Sequence, residues 1–387
     1  MSKESVQSIV FVGGGPASGM AARHILSSPN FDTSKHKVTF ITPRSHYVHL
    51  IGVLRPLVTT EGDFHTRIFM PYDDTFLKGK GELKIGKVAS IVEGPEKGEA
   101  VGEVVLESGE RVSYDVLVLA TGYAWQGPSD LPLDLRGASD HLKSWREKIE
   151  QAKSIVLIGG GAAGIEFSGE IKHYYPEKTV TIVHRGKQLL NDLYPEWWRN
   201  QVVDKTRSMG IDVLLQDQLE SVETSSEGTV TTKKGQVIAA DLVVPMWGGK
   251  PNTEFIGASL GSDVLTTNGQ VKVTPTLQVV GHPRIFAGGD IIDRREYKLG
   301  TKAQAHGRVL GPNVLNLVLN RPGATLRQYG GVPDGVTITY GTANSITLLG
   351  IFGGLSFGNW LGWLTKKPKD LLTELYRRRF SLGFAKL

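Results

Sequence analysis

Short apolar runs, each bounded by glycine or polar residues, recur along the chain and alternate with helix-compatible segments. Runs of this kind are typical of buried strands. Strands that alternate with helices form parallel sheets covered by helices, so the pattern predicts an α/β fold. The predicted strands cover residues 8–12, 38–41, 116–120, 155–158, 180–183, 242–246 and 285–287.

One apolar window differs from these strands because its length approaches that of a transmembrane helix. Residues 346–364 form 19 positions without a charge, whereas a spanning helix needs about 20 apolar residues. Five glycines and Asn359 interrupt the window. We therefore predict a hairpin followed by a short amphipathic helix.

A glycine-rich loop directly follows the first predicted strand. It reads Gly-Gly-Gly-Pro-Ala-Ser-Gly over residues 13–19, and a helix-forming segment and a second strand follow it. Such a βαβ unit of about 30 residues is typical of dinucleotide binding. Gly13 allows the tight turn, Gly15 lets the backbone approach a pyrophosphate, and the helix N-terminus supplies N–H groups.

Two positions of this unit depart from the common pattern. Ser18 stands where a third glycine is usual, and Thr42 stands where an acid usually binds the ribose. A small serine still permits close packing of helix on strand. Taken alone, the loop is equally compatible with a tight structural turn.

A second loop makes the dinucleotide interpretation much stronger. Gly159, Gly161 and Gly164 complete a full G-x-G-x-x-G pattern between the predicted strands 155–158 and 180–183. Two such units in one chain predict two bound dinucleotides, one held tightly and one exchanging.

Two further strand ends fit this organisation. The strand at 116–120 ends in Thr121-Gly122, which is typical of a crossing point between two dinucleotide domains. The strand at 285–287 ends in Gly288-Gly289-Asp290, whose carboxylate can accept hydrogen bonds from a ribityl chain. The alternative for Asp290 is a cap of the following helix.

Composition excludes several classes of protein. The chain has 387 residues and no cysteine, which excludes a disulfide scaffold, a cysteine-ligated metal site and a redox dithiol. The net charge of +5 is mild and gives little support for nucleic-acid binding. Histidines are scattered, so we predict no metal site.

The motifs GGGPAS, ATG, GGGAAG and AGGD, in this order, resemble the two-dinucleotide flavoproteins that bind FAD and NAD(P)H. Within them the chain is similar to the apoptosis-inducing-factor-like and ferroptosis suppressor protein family of NAD(P)H:quinone oxidoreductases. The stretches that carry this similarity are residues 53–55, 169–172, 175–184, 297–299, 305–306, 364–366 and 369–371.

The resemblance implies a glutathione-reductase-like arrangement of two Rossmann-like domains. The expected FAD-binding domain is discontinuous and covers residues 1–125 and 255–325. The NAD(P)H-binding domain is inserted between them as residues 126–254. A small C-terminal α/β portion, residues 326–387, completes the chain.

The resemblance also implies the site residues. Glu166 is expected near the nicotinamide and Lys298 near the flavin, with a helix-terminal acid and a solvated lysine as the alternatives. The expected NAD(P)H contacts are Gly159, Gly161, Gly164, His184 and Arg185. The expected FAD contacts are Gly13, Gly14, Gly15, Pro16, Ala17, Ser18, Arg55, Val88, Thr121, Gly122 and Asp290.

Coenzyme preference is read from the end of the strand at 180–183. It continues as His184-Arg185, without the acid that would bind a 2′-hydroxyl and reject a 2′-phosphate. Arg185 and Lys187 are suited to pair with that phosphate. We therefore expect NADPH to be accepted beside NADH, with a solvent-facing Arg185 as the alternative.

These inferences favour an oxidoreductase that passes a hydride from NAD(P)H to FAD and two electrons to a quinone-like acceptor. Without a dithiol, the acceptor must meet the flavin directly. One alternative acceptor is monodehydroascorbate or an electron-transfer protein. A DNA-binding, death-promoting protein is an alternative of another class, whose affinity would fall steeply with salt. The oligomeric state stays open, with a homodimer as one alternative.

The C-terminal region combines aromatic and basic residues. Phe352, Phe357, Trp360 and Trp363 precede lysines at 366, 367 and 369. This pattern favours peripheral contact with a membrane, and packing against the FAD domain is the alternative.

The two ends of the sequence bear on membrane anchoring and localisation. Ser2 replaces the glycine that N-myristoylation requires. The tripeptide Ala385-Lys386-Leu387 is a variant of a peroxisomal address. Peroxisomal localisation and cytoplasmic localisation are the two alternatives that the sequence leaves open.

Overall fold

The computed structural model describes residues 6–73, 76–94, 101–319 and 325–382. Strands and helices alternate along most of the chain. The strands are β1 (Gln7–Val12), β2 (His36–Thr42), β3 (His46–Val48), β4 (Phe69–Pro71), β5 (Glu82–Ile85), β6 (Val88–Glu93), β7 (Gly102–Leu106), β8 (Arg111–Tyr114), β9 (Val116–Leu119), β10 (Tyr123–Ala124), β11 (Ser154–Ile158), β12 (Thr179–His184), β13 (Asp212–Leu215), β14 (Thr229–Thr231), β15 (Val237–Ala239), β16 (Leu242–Pro245), β17 (Lys250–Pro251), β18 (Gln278–Val279), β19 (His282–Ala287), β20 (Gly335–Tyr340), β21 (Asn344–Leu349) and β22 (Leu355–Phe357). The helices are α1 (Pro16–Leu26), α2 (Phe64–Arg67), α3 (Leu135–Gln151), α4 (Ala162–Tyr174), α5 (Glu196–Ser208), α6 (Glu254–Leu260), α7 (Gly300–Val318), α8 (Asn359–Thr365) and α9 (Thr373–Phe380).

A six-stranded sheet carries the first glycine loop. Its strand order is β18-β19-β9-β1-β2-β5, and β1 lies between β2 and β9 with both neighbours parallel to it. The side chains of β9 are all apolar and buried, as expected for a central parallel strand covered on both faces. Helices α1 and α7 pack against each other beside this sheet.

A four-stranded parallel sheet carries the second glycine loop. Its order is β13-β12-β11-β16, so β11 again lies between two parallel neighbours. All seven runs predicted as strands are confirmed, with ends that move by at most a few residues. The predicted α/β fold with two Rossmann-like sheets is therefore confirmed.

Two short antiparallel strands connect the sheets. Tyr123 in β10 pairs with Pro251 in β17, which confirms a crossing point just after Thr121-Gly122. The six-stranded sheet draws only on chain segments before β10 and after β17, and the four-stranded sheet only on the segment between them. The exact domain boundaries stay a prediction.

The C-terminal portion consists of the antiparallel sheet β20-β21-β22 and helices α8 and α9. Strand β20 packs on α4, whereas α9 packs on α1. The window at 346–364 thus contains most of β21, strand β22 and most of helix α8. Strands β21 and β22 pair as a hairpin, so a hairpin followed by a short helix is confirmed. No helix within the described ranges is long and apolar enough to cross a membrane. The predicted address at residues 385–387 lies outside the described residues.

Candidate dinucleotide and redox site

The first glycine loop makes a tight turn between β1 and α1. Gly13 has φ +106°, and a Cβ atom there would lie 2.2 Å from the Ala120 carbonyl oxygen. Gly14 accepts a hydrogen bond from the Tyr72 hydroxyl (2.6 Å). Gly15 precedes α1, and a Cβ atom there would meet no atom within 4 Å. The loop is therefore closed toward β9 and open above the helix N-terminus.

The second loop repeats this geometry between β11 and α4. Gly159 has φ +122°, and its Cβ position lies 2.6 Å from the Met246 carbonyl oxygen. Gly161 faces open space, as Gly15 does. A Cβ atom at Gly164 would lie 2.2 Å from the Gly159 carbonyl oxygen, so only glycine permits this close packing of helix on loop.

These two loops fit the pyrophosphate groups of dinucleotides. Within the described part of the chain, no side chain caps the N-terminus of α1 or α4, which leaves the first N–H groups of each helix for a ligand. Open space lies beside Gly15 and Gly161, where a phosphate would approach. Ser18, in the first turn of α1, has a buried hydroxyl oxygen without a hydrogen-bond partner among the described residues. Pro16 and Ala17 complete that turn.

The crossing point is built from reciprocal contacts between two segments. The Thr121 hydroxyl donates to the Asn252 carbonyl oxygen (2.6 Å), and the Asn252 amide donates to the Thr121 carbonyl oxygen (3.1 Å). Gly122 has φ +69° with open space at its Cβ position. This corner lies close to the first loop, because Ala120 contacts Gly13.

Asp290 and Lys298 lie in one partly buried group of charges. Burial raises the pKa of the Asp290 carboxyl, and Lys298 and His306 oppose this rise. Burial lowers the pKa of Lys298, whereas Asp290 and Glu296 raise it. Lys298 donates to the Ile292 carbonyl oxygen (2.8 Å), and no described residue donates a hydrogen bond to Asp290. The Asp290 carboxylate therefore keeps its acceptor capacity for a ligand.

Glu166 lies in the first turns of α4, shortly after the second loop. Its carboxylate accepts hydrogen bonds from the Thr339 backbone N–H (2.9 Å) and hydroxyl (3.1 Å). Lys366 donates to the same oxygen. The side chains of Lys366 and Glu166 are 13% and 14% exposed. The sequence did not identify Lys366 as a partner of Glu166.

Arg55 is fully engaged inside the protein. Its guanidinium forms two hydrogen bonds with Glu170 (2.8 and 3.0 Å) and one with the Pro368 carbonyl oxygen (2.6 Å). The side chain is 2% exposed. These contacts join the segment before α2, helix α4 and the C-terminal portion, and the contact of Arg55 with FAD stays a prediction.

Val88 and Arg44 lie near the end of β2. Gly86 donates to the Thr42 carbonyl oxygen (2.9 Å), which places the buried Val88 two residues from this strand end. Arg44, two residues past Thr42, donates to the Leu131 carbonyl oxygen (2.6 Å). The position at Thr42 therefore lacks an acid but has a cation nearby, which the sequence analysis missed.

The end of β12 carries the residues expected to read the coenzyme ribose. His184 Nδ1 accepts a hydrogen bond from the Gly160 backbone N–H (3.1 Å), and burial lowers the pKa of this histidine. Arg185 and Lys187 are exposed. Neither cation has a partner among the residues that the structure describes, so both are available to a phosphate. Among these same residues no group of three His, Asp or Glu side chains is arranged to hold a metal.

Comparisons with known proteins agree with this geometry. Residues 7–307 match the family model for pyridine nucleotide-disulphide oxidoreductases. The FAD-dependent oxidoreductase FVFD30 of Flammulina velutipes is 40% identical over 321 residues, which are 83% of this chain and 98% of that protein. Ferroptosis suppressor protein 1 of Taeniopygia guttata is 31% identical over 325 residues, covering 81% of this chain and 82% of the relative.

A solved structure shares the fold at low sequence identity. The sulfide:quinone oxidoreductase of Aquifex aeolicus superposes with a TM-score of 0.74 at 17% identity, covering 97% of this chain and 92% of that chain. The chain therefore belongs to the pyridine nucleotide-disulphide oxidoreductases and, within them, to the apoptosis-inducing-factor-like and ferroptosis suppressor protein family, and its cofactors are FAD and NAD(P)H. The chain itself has no cysteine, so it lacks a redox disulfide.

Proposed function

We propose that this FAD-dependent oxidoreductase takes electrons from NAD(P)H and delivers them to a quinone of the ubiquinone type. The observation that carries the proposal is that an exposed aromatic helix, α8, is followed directly by a residue that binds Glu166. Helix α8 presents Trp360 and Trp363, which are 63% and 68% exposed, and the next residue after α8 is Lys366, which donates to Glu166. An acceptor that dissolves in lipid would approach the redox centre from such a surface.

The residues of the chain have separate roles in this reaction. Bound FAD accepts the hydride and passes electrons on. The two glycine loops hold pyrophosphates at helix N-termini, and Asp290 accepts hydrogen bonds from the polyol of FAD. Glu166 holds the nicotinamide half of the coenzyme, and Lys298 stabilises negative charge on the flavin ring. Because the chain has no cysteine, the acceptor meets the flavin directly.

We also propose that NADPH is accepted beside NADH. Arg185 and Lys187 are exposed at the end of β12, where the ribose of a dinucleotide lies in this fold. A guanidinium and an ammonium there would pair with a 2′-phosphate.

We further propose that the protein contacts a membrane through one apolar surface. We define this aromatic surface as Trp360, Trp363 and Leu364 (59% exposed) on helix α8, together with Phe352 (94% exposed) in the turn that precedes β22. Packing against the FAD domain, the alternative left open by the sequence, does not agree with the exposure of Phe352, Trp360 and Trp363. Phe357, the fourth aromatic residue of the pattern, is half-buried and packs edge-on against Trp360. Lys367 and Lys369 follow and are exposed, which favours anionic lipid. Peroxisomal targeting by residues 385–387 stays a proposal.

An anaerobic titration tests the acceptor. The visible flavin bands of the purified protein should bleach with NADPH and return when a short-chain ubiquinone is added. If the bleached bands return only with monodehydroascorbate or an oxidised electron-transfer protein, that acceptor takes the place of the quinone in the proposal. DNA retention that falls steeply with salt would favour the DNA-binding alternative.

A further inference from the structure

A buried chain of polar contacts lies behind the turn that carries Asp290. His306, in helix α7, is 1% exposed. Its Nδ1 atom accepts a hydrogen bond from the backbone N–H of Gly289 (3.1 Å). Its Nε2 atom lies 2.8 Å from Glu296 Oε1, and the other oxygen of Glu296 accepts from the Tyr329 hydroxyl (2.9 Å). The Tyr329 ring packs edge-on against the imidazole at 4.5 Å.

These contacts fix which nitrogen of the imidazole carries the proton. A backbone N–H can only donate, so Nδ1 must be free of a proton to accept from Gly289. The Glu296 carboxylate lies close to Nε2 without forming a well-aligned hydrogen bond, so it favours the proton on Nε2 through its negative charge. Tyr329 occupies the second oxygen of Glu296 and holds the carboxylate in place. The result is an acceptor of defined orientation that faces one backbone N–H group.

The turn that His306 holds has an unusual backbone and is tightly enclosed. Gly289 has φ +74°, in the left-handed region. A Cβ atom at Gly288 would lie 2.6 Å from the Leu310 side chain, and one at Gly289 would lie 3.6 Å from Ala17 in the first glycine loop. The next residue is Asp290, whose carboxylate has no hydrogen-bond donor among the described residues. The hydrogen bond from Gly289 to His306 therefore fixes the peptide that directly precedes Asp290.

We propose that His306 is a positioning residue for FAD, which acts through Gly289 on the Asp290 carboxylate. Glu296 and Tyr329 set its tautomer and do not touch the ligand. This inference rests on the proposed role of Asp290 in binding FAD. It assigns a function to a buried histidine that would otherwise serve only in packing.

Three substitutions at His306 separate positioning from packing. His306→Asn keeps an acceptor close to the position of Nδ1, so the dissociation constant for FAD should stay within about threefold of the wild-type value. His306→Gln reaches toward the position of Nε2, and His306→Leu has no acceptor. Both should raise that constant about tenfold or more, because the buried Gly289 N–H loses its partner. Glu296→Gln allows the other tautomer and should weaken FAD binding in the same direction.

The readout is the fluorescence of FAD released when the holoprotein is diluted, with the melting temperature measured in parallel. Asn313→Leu is the matched control, since Asn313 lies on the same helix, is buried and bonds to the Thr276 and Arg327 carbonyl oxygens. It should lower the melting temperature and leave FAD affinity unchanged. Equal FAD affinity for His306→Asn, His306→Gln and His306→Leu would overturn the proposal.

Asp290→Ala distinguishes failure of this inference from failure of the site. If Asp290→Ala weakens FAD binding and His306→Leu does not, His306 has no positioning role while Asp290 retains its own. If neither variant changes the affinity, the assignment of Asp290 itself fails. The double variant should bind FAD about as weakly as Asp290→Ala alone, because the two residues act in series.

Discussion

Lys366 donates a hydrogen bond to Glu166 and thereby joins the end of helix α8 to the first turns of α4. The two residues are 200 positions apart in the chain. Glu166 follows the loop proposed to hold NAD(P)H, whereas Lys366 follows the aromatic surface. The pair thus lies where the coenzyme side of the protein meets the side proposed for the second substrate.

The first prediction concerns this pair. Glu166→Gln should slow the bleaching of the flavin bands by NADPH about tenfold or more, because a charged hydrogen-bond acceptor is lost. The flavin spectrum before NADPH addition should stay unchanged. Glu227→Gln, an exposed carboxylate in another part of the same domain, is the control. If the Glu166→Gln variant is bleached at the wild-type rate, Glu166 acts only as an acid that stabilises a helix N-terminus.

A second prediction concerns the buried pair of Arg55 and Glu170. Both side chains are at most 3% exposed, and removal of one partner leaves a buried charge without compensation. Glu170→Ala should therefore lower the free energy of unfolding by about 3–5 kcal/mol. Replacement of both residues by methionine should cost less than the sum of the single changes. Urea unfolding measures both effects.

The same variants test the predicted contact of Arg55 with FAD. If Arg55 serves only to pair with Glu170 inside the protein, the folded Arg55→Met, Glu170→Met variant should keep its flavin bands. Loss of FAD from a folded Arg55→Met, Glu170→Met protein would instead support the FAD contact. A destabilisation of Glu170→Ala below about 1 kcal/mol, the range of an exposed ion pair, would contradict the buried pair.

The third prediction concerns coenzyme choice. Arg185→Ala should raise the KM for NADPH about tenfold, because a charge-assisted contact with the 2′-phosphate is lost. The KM for NADH should change little. Arg136→Ala removes an exposed arginine from α3 and is the matched control. An equal rise for both coenzymes would show that Arg185 does not recognise the 2′-phosphate.

Much of the fold could be predicted because its signals are local. Each glycine loop lies between a strand and a helix within one βαβ unit, so its spacing is visible in consecutive residues, although the carbonyl oxygens that Gly13 and Gly159 approach belong to the distant residues Ala120 and Met246. Gly13 and Gly159 have the positive φ values that such turns require. The strands could also be predicted, because a strand that is buried on both faces of a parallel sheet is apolar at nearly every position.

The partners of the site residues could not be predicted, because they come from distant segments. Glu170 lies 115 positions from Arg55, and no pattern in either segment indicates their contact. The same holds for Lys366, which the sequence presents only as part of a basic flank. The hydrogen bond between Gly289 and His306 likewise depends on tertiary structure, because it forms only where the turn before Asp290 packs on α7.

The fourth prediction concerns stability against acid. Burial lowers the pKa of His49 to about 4, and the Leu371 carbonyl oxygen, which accepts from Nε2 (2.7 Å), partly opposes this. An unfolded histidine has a pKa of about 6.5. The unfolded state therefore binds more protons between these values, and stability falls as pH drops from about 6.5 toward 4.

Substitution of this histidine should reduce the acid sensitivity. At pH 5.5 the protonation of unfolded His49 costs about 1.4 kcal/mol of stability. His49→Gln removes this titration, so the fall in melting temperature between pH 7.5 and 5.5 should become smaller. His173→Gln, at an exposed histidine, is the control and should leave the slope unchanged. An unaltered slope for His49→Gln would contradict the shifted pKa.

The fifth prediction concerns the aromatic surface. Simultaneous replacement of Phe352, Trp360 and Trp363 by serine should weaken binding to vesicles of phosphatidylcholine and phosphatidylglycerol at least about tenfold, since insertion of one such side chain is worth about 1.5–3 kcal/mol. Co-sedimentation measures this binding. Added salt should weaken the binding of the wild-type protein, because it screens the attraction between the neighbouring lysines and the anionic lipid.

Val237→Ser is the control, because Val237 is 64% exposed on β15, away from this surface. If the triple variant binds vesicles normally but changes its oligomeric state in gel filtration, the surface is an interface between copies of the chain rather than a membrane contact.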